Sequence, residues 1–139
     1  MFNSEGAFEW PVRVYYEDTD AGGVVFYANY LAFFERARTE WLRGMDLDAT
    51  QLRAAHEVLF VVRHVEVDYL APAVLDDALR IVTRIAEVGG SKVVFDQSVW
   101  RGDQCLVRAK VVTVCVSTQT FSAARLPDAV RKSITRDIA

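Results

Sequence analysis

The sequence predicts an α+β fold in which an antiparallel β-sheet wraps one long helix. Three observations predict it. Residues 27–45 carry apolar side chains at a helical period. Everything after about residue 57 reads as strand upon strand, with glycines at the joints. The chain has 139 residues, 52% of them hydrophobic, enough to bury a real core without disulfides or metals. A single helix with a wide apolar side needs a sheet to cover it, and a curved antiparallel sheet satisfies both partners. There are no repeats, low-complexity tracts or linkers, so residues 1–139 read as one domain.

The elements follow in order. Residues 11–18 read as a short strand with Val12, Val14 and Tyr16 on one face. Residues 19–26, TDAGGVVF, form a loop around Gly22-Gly23. From Tyr27 the period becomes helical: Tyr30, Phe34, Ala37, Trp41 and Met45 share a stripe. Leu31, Phe33 and Leu42 widen it, and Arg36, Glu40 and Arg43 lie on the polar side. Gly44 stands where a helix stop is expected. Residues 47–56 read as a short helix or an irregular link. Strands follow over 58–70, closed by Pro72, and over 77–88 and 92–101, flanking the hairpin turn Gly89-Gly90-Ser91. A turn at Gly102-Asp103 leads to the last long strand, 104–118, and the tail from Leu126 to Ile138 reads as a short helix with Pro127 early.

Composition excludes several classes. A net charge of −3 argues against a basic nucleic-acid binder. No apolar run reaches the roughly 18 residues that a membrane span needs. The N-terminal stretch MFNSEGAFEWPVR has no basic region followed by an apolar one, so the cytoplasm is the expected compartment. Cys105 and Cys115 fall on one face of the last strand together with Val107, Ala109, Val111 and Thr113. Ten residues of strand span roughly 33 Å, so the two thiols cannot bridge and read as buried structural cysteines. Nothing has the ligand spacing of a zinc site.

The chemistry concentrates between Arg13 and Trp41. Asp18 and Asp20 end a strand, a glycine pair follows, and a helix starts about seven residues past Asp20. A helix N-terminus offers unpaired N–H groups and the positive end of a dipole, which can hold an oxyanion. A carboxylate beside it can activate water or attack directly. Glycines let the backbone approach a substrate closely. Acid, donors and tight loop together suit acyl transfer. Asp-Thr-Asp before a helix is equally ordinary turn and capping chemistry, and the residues alone leave both readings open.

The run YYEDTDAGGVVFYANYLAFFERARTEWL resembles the signature of the hotdog-fold acyl-CoA thioesterases. It is similar to the 4-hydroxybenzoyl-CoA thioesterase group and, within it, to the Tol-Pal-associated branch. The dense match, Y-x-x-D-x-D-x-x-G-x-V-x-x-x-x-Y before a long helix, covers about 30 residues, and strand order fits over nearly the whole chain. The resemblance implies hydrolysis of a short-chain or aromatic acyl-CoA to free acid and CoA, without metal or organic cofactor. It implies a homodimer or homotetramer whose sheets join edge to edge, with active sites at the subunit interface. On the branch alone it also suggests a link to the Tol-Pal envelope system. Asp20 falls on the family's catalytic carboxylate, as nucleophile or general base. The backbone N–H at or next to Tyr27 falls on the donor that polarises the thioester carbonyl. Gly23 would let the loop pass close to the thioester, and Tyr16 matches a tyrosine often found beside the site in this branch. The branch usually has histidine where this chain has Tyr27. A tyrosine, with a pKa near 10, is a poor base. The weight therefore falls on Asp20, and Tyr27 would line an acyl pocket suited to an aryl or branched group.

Other residues complete the expectations. Val25, Phe26, Tyr30 and Phe33 are candidates for an acyl pocket shared with the core. Ser91 and Lys92 at the hairpin tip, and Arg125, are candidates for CoA phosphates, which favour cationic partners. Glu35 reads as a solvated or ion-paired helix residue rather than a second acid. His64, Glu66 and Asp68 alternate on one strand face and read as exposed. His56 reads as a loop residue. Gly89-Gly90-Ser91-Lys92-Val93 lacks the last glycine of a nucleophile elbow. Two rivals remain: a non-catalytic acyl-CoA or acyl-carrier binding module, and a dehydratase on the same fold. The dehydratase would want a histidine in the motif, and neither histidine lies there.

Overall fold

Five strands form one antiparallel sheet in the order β1-β3-β4-β5-β2, in a computed structural model that describes residues 2–3 and 6–136. The strands are β1 (Phe8–Arg13), β2 (Val58–Tyr69), β3 (Ala78–Val88), β4 (Lys92–Arg101) and β5 (Gln104–Ser117). Helix α1 (Asn29–Arg43) packs on one face of the sheet, α2 (Ala49–His56) leads into β2, and α3 (Asp128–Arg136) closes the chain. This is the expected α+β arrangement.

The helical stripe does what its period demands. Tyr30, Phe33, Phe34, Ala37 and Trp41 are buried on α1. They meet inward-facing residues from alternate positions of the sheet, among them Leu79, Ile81, Val93, Phe95, Val99, Val107 and Val111. The Trp41 ring packs edge-on against Phe95 at 5.6 Å. Full burial of each of Phe33 and Phe34 contributes about 1.5–3 kcal/mol. One polar seam crosses this core. The Gln97 amide donates to the Phe34 carbonyl and to Thr83 Oγ1, and its oxygen accepts from Arg38. Every polar atom of the buried Gln97 side chain thus has a partner, as burial requires.

Several local expectations are corrected. The first strand is Phe8–Arg13, not 11–18. Its ladder with β3 ends where β3 begins, at Arg13 opposite Ala78. Beyond it the Asp18 carboxylate takes the Tyr15 N–H and curls Tyr16–Asp18 into a 3₁₀ turn. Val12 and Val14 are buried as expected, but Tyr16 is 82% exposed. Helix α1 starts at Asn29, so Tyr27 lies in the turn before it. Leu31 is exposed rather than part of the buried stripe, and Met45 lies past the helix end. Gly44 caps α1 in a right-handed conformation; the left-handed residue of that exit is Asp46, with φ 58°. His56 is the last residue of α2, not a loop residue, and Glu57 in the left-handed region ends that helix. Cys115 is buried and Cys105 is half-buried, both as free thiols. The end of the expected tail helix, at Ile138, lies outside the described residues.

Candidate active site

The site loop is a tight hairpin. Thr19 bridges Val25, the Asp20 N–H donates to the Val24 carbonyl, and the Phe26 N–H donates to the Asp18 carbonyl. At its tip the Gly23 N–H donates to the Asp20 carbonyl, and Gly23 holds φ +82°, a backbone that L-residues adopt only at a cost. The loop is tied to the segment leading into β3. Val24 bridges Val74, and the Val25 N–H donates to the Ala73 carbonyl.

The two aspartates have different environments. Asp18 is 5% exposed, and its carboxylate accepts from the Tyr15 N–H and from the Asn29 side-chain amide, each at 2.8 Å. It clamps the end of the first segment to the first turn of α1. Asp20 is exposed, and one carboxylate oxygen accepts the Gly22 N–H at 2.8 Å. Its other oxygen has no partner among the described residues. Of the two, only Asp20 is free to meet a substrate.

Across the hairpin from Asp20 the chain turns into α1. The Asn29 N–H donates to the Phe26 carbonyl at 2.8 Å. The cap position, Ala28, supplies no side-chain hydrogen bond. The N–H groups of Tyr27 and Ala28 find no acceptor among the described residues. The turn before α1 thus presents open donors at the positive end of the helix, and the hairpin that leads into it carries an exposed carboxylate.

Aromatic rings surround this turn. Phe26 and Tyr27 lie with centroids 4.7 Å apart and are both exposed. Tyr69, at the end of β2, meets Tyr27 edge-on at 6.4 Å and Tyr30 at 5.7 Å, and its hydroxyl donates to the Tyr27 carbonyl at 2.8 Å. Tyr30 is buried, and its hydroxyl accepts the Ala73 N–H at 3.1 Å. Burial pushes the Tyr30 phenol above its ordinary value. Arg101, from β4, reaches the Pro72 carbonyl and pairs with Asp77 at 2.7 Å, holding the segment against which the site loop lies.

The sequence candidates divide by place. Asp20, Tyr27, Gly23, Val25, Phe26 and Tyr30 come together, with Tyr16 just outside on the exposed 3₁₀ turn. Val25, Tyr30 and Phe33 point into the core, and Phe26 and Tyr27 face out. Ser91 and Lys92 lie at the far end of the sheet. They are separated from the site loop by the length of β3, eleven residues and so roughly 35 Å of strand. There Lys92 pairs with Glu87, and the Ser91 carbonyl accepts the Cys115 N–H. Arg125 lies at the same far end, since the Leu126 N–H donates to the Gly90 carbonyl. Within one protomer these residues do not reach Asp20. Glu35 is exposed on α1. His64, Glu66 and Asp68 are exposed on β2, as expected, with Glu66 opposite Lys110 and Asp68 opposite Arg108. Sequence reasoning missed Tyr69, Asn29 and Arg101. Their partners lie 42, 11 and 24 residues away, so no local pattern carried them.

A cavity of about 700 Å³ lies away from this loop. It lies on the sheet face turned away from α1, between charged residues such as Arg80, Arg84, Asp96 and Lys110. That lining suits solvated cross-strand pairs better than an acyl group.

An exposed carboxylate and open helix-start donors thus share one loop of a sheet wrapped on a long helix, the hotdog architecture. The chain belongs to the thioesterase superfamily, whose family model matches residues 22–108. It is 48% identical over 124 residues to the acyl-CoA thioester hydrolase YbgC of Escherichia coli O6:H1, covering 88% of this chain and 92% of that one. It is 42% identical over 127 residues to the acyl-CoA thioesterase YbgC of Haemophilus influenzae, covering 91% and 93%. Among solved structures, a probable thioesterase from Bartonella henselae superimposes with a TM-score of 0.83 at 39% identity, covering 87% of this chain and 99% of that one.

Proposed function

We propose that the protein hydrolyses short-chain or aromatic acyl-CoA thioesters through Asp20. The observation that supports this reading is the hairpin, which carries an exposed, singly bonded carboxylate and leads directly into the unpaired amides of Tyr27 and Ala28. The thioester carbonyl would sit over those amides. Asp20 would attack it or draw a proton from water. Either route puts negative charge on the carbonyl oxygen, and the amides stabilise that charge more in the transition state than in the substrate. The CoA thiolate leaves; on the general-base route the attacking water supplies the new acid oxygen, and on the nucleophilic route a water hydrolyses the acyl-Asp20 anhydride, so that free acid is released and Asp20 regenerated. The YbgC relatives, named for acyl-CoA hydrolysis, support the substrate class.

On this reading the site is completed by a second subunit. β2 is an edge strand, and Val61, Val62, Tyr69 and Leu70 on or beside it are exposed. Such an edge invites pairing. A two-fold axis joining two β2 strands makes them antiparallel, which lays the Val58 end of one beside the Tyr69 end of the other. The Val58 end carries the hairpin tip, because Phe60 pairs with Cys115 and Cys115 bonds to Ser91. Ser91, Lys92 and Arg125 of the second subunit would thereby approach Asp20 of the first, where CoA phosphates need cations. Phe26, Tyr27 and Tyr69 would line the acyl end.

The decisive experiment is free-thiol release from acyl-CoAs ranging from acetyl to long-chain, with benzoyl and 4-hydroxybenzoyl included. Wild type is compared with Asp20→Asn, which keeps shape and removes charge. The expected loss is on the order of 10²–10⁴-fold in kcat with unchanged melting. Equal turnover by Asp20→Asn would remove Asp20 from the mechanism. CoA binding without thiol release from any substrate would make the protein a binding module.

A further inference from the structure

We propose that Tyr69 is a positioning residue for the reaction: its hydroxyl fixes and polarises the Tyr27–Ala28 peptide that presents an oxyanion donor. This rests on the reading of the Asp20 site given above and adds to it a residue outside the motif.

Two peptide planes make up the turn before α1. The first joins Phe26 to Tyr27 and carries the Tyr27 N–H. Its carbonyl, on Phe26, is taken by the Asn29 N–H at 2.8 Å. The second joins Tyr27 to Ala28 and carries the Ala28 N–H. Its carbonyl, on Tyr27, is taken by the Tyr69 hydroxyl at 2.8 Å. Each plane is therefore held by its oxygen, and each leaves its N–H open.

Holding the oxygen has two consequences. It stops the plane from rotating, so the donor direction is set before substrate arrives. It also draws electron density toward the carbonyl, which makes the N–H of the same peptide a stronger donor. A phenol can do this only as the neutral O–H form. Burial and the neighbouring tyrosines raise the ionisation of Tyr69 above its ordinary value, so the proton is retained at working pH. The ring is braced from two directions. It meets Tyr27 and Tyr30, and its strand pairs with β5 through Tyr69 opposite Val107. At 47% exposure Tyr69 is not a core residue, so Tyr69→Phe is expected to fold.

The experiment compares wild type, Tyr69→Phe and Asp20→Asn in the assembled enzyme, on the acyl-CoA that wild type turns over best. Three quantities are read: kcat per folded protein, KM, and the Ala28 amide proton shift by NMR. Tyr69→Phe keeps the ring and removes only the hydroxyl. The expected result is about a tenfold fall in kcat, the scale of one lost hydrogen bond, with KM within about twofold. The Ala28 amide resonance moves upfield as its peptide loses polarisation. A purely structural role would lower the folded fraction and leave kcat per folded enzyme intact. Unchanged kcat in Tyr69→Phe, or a change confined to KM, overturns the proposal while the loss in Asp20→Asn leaves the site reading standing. An unmoved Ala28 resonance overturns it as well. Full activity in Asp20→Asn overturns the site reading and the proposal with it.

Discussion

Asp18 and Asp20 are two residues apart and do opposite work. Asp18 commits both oxygens to the fold, and Asp20 keeps one free. The adjacent glycines separate in the same way. At Gly22 an added Cβ would come within 3.2 Å of Asp20 Oδ1, with no positive φ to strain. At Gly23 an added Cβ meets nothing, but the backbone is at φ +82°. Gly22→Ala is therefore expected to displace the carboxylate and lower kcat severalfold with little change in melting. Gly23→Ala is expected to cost about 1–2 kcal/mol of stability through backbone strain. Denaturant midpoints and kinetics on both variants check the pair, and the reverse pattern would contradict this division. The motif Asp-x-Asp was legible in the sequence, but which aspartate is buried was not. That depends on Asn29 reaching back across the hairpin.

At the scale of elements, the period of α1 foretold its buried face, and the glycines foretold the β3–β4 hairpin. The helix start was misplaced by two residues because Tyr27 fits the apolar pattern equally well in a turn. Tyr30 joins this element to the next: it sits on α1, fills the core and accepts the Ala73 N–H beside the site loop. Tyr30→Phe leaves that N–H unpaired and is expected to cost about 1–3 kcal/mol. There is also a pH consequence. Burial holds the Tyr30 phenol above its ordinary 10.0 and the Cys115 thiol above its ordinary 9.0. The unfolded chain releases these protons at the ordinary values, while the folded protein keeps them. Their contribution is full below about pH 9 and is lost as pH rises through the folded values. Urea midpoints should therefore fall on the alkaline side, and the fall should be shallower in Tyr30→Phe with Cys115→Ala. An equally steep alkaline limb in that double variant would assign the loss to other groups.

At the scale of the molecule, the sheet leaves the edge of β2 open. β2 carries exposed Val61 and Val62 along it, and a bulge between Val62 and His64 interrupts its register with β5. No helix among the described residues is long and apolar enough to cross a membrane, and an exposed apolar edge strand is suited to pairing with a protein partner. Val62→Glu is expected to shift the assembly toward monomer in sedimentation velocity and to lower turnover in parallel. A monomer with full activity would show that one protomer holds a complete site. The placement of Ser91, Lys92 and Arg125 far from Asp20 makes the opposite expectation. On the proposed reading they would meet the CoA of a neighbouring protomer, which is what the paired loss of assembly and turnover tests.

The sequence by itself determined the class of fold, the helix that carries the core and the loop that carries the acid. Those features are local: they rest on period, on turn residues and on a contiguous motif. Only the tertiary structure decided which carboxylate is free, which amides are left unpaired and which end of the sheet holds the hairpin tip. Each of these depends on contacts that no single local pattern carries, some across the site hairpin and some between segments far apart along the chain. Tyr69 meets Tyr27 and Leu126 meets Gly90 because the sheet brings their strands and turns together, and Asn29 meets Asp18 because the site hairpin folds the start of α1 back onto the 3₁₀ turn. No spacing in the sequence encodes such a contact, because it is set by strand register and by packing against α1.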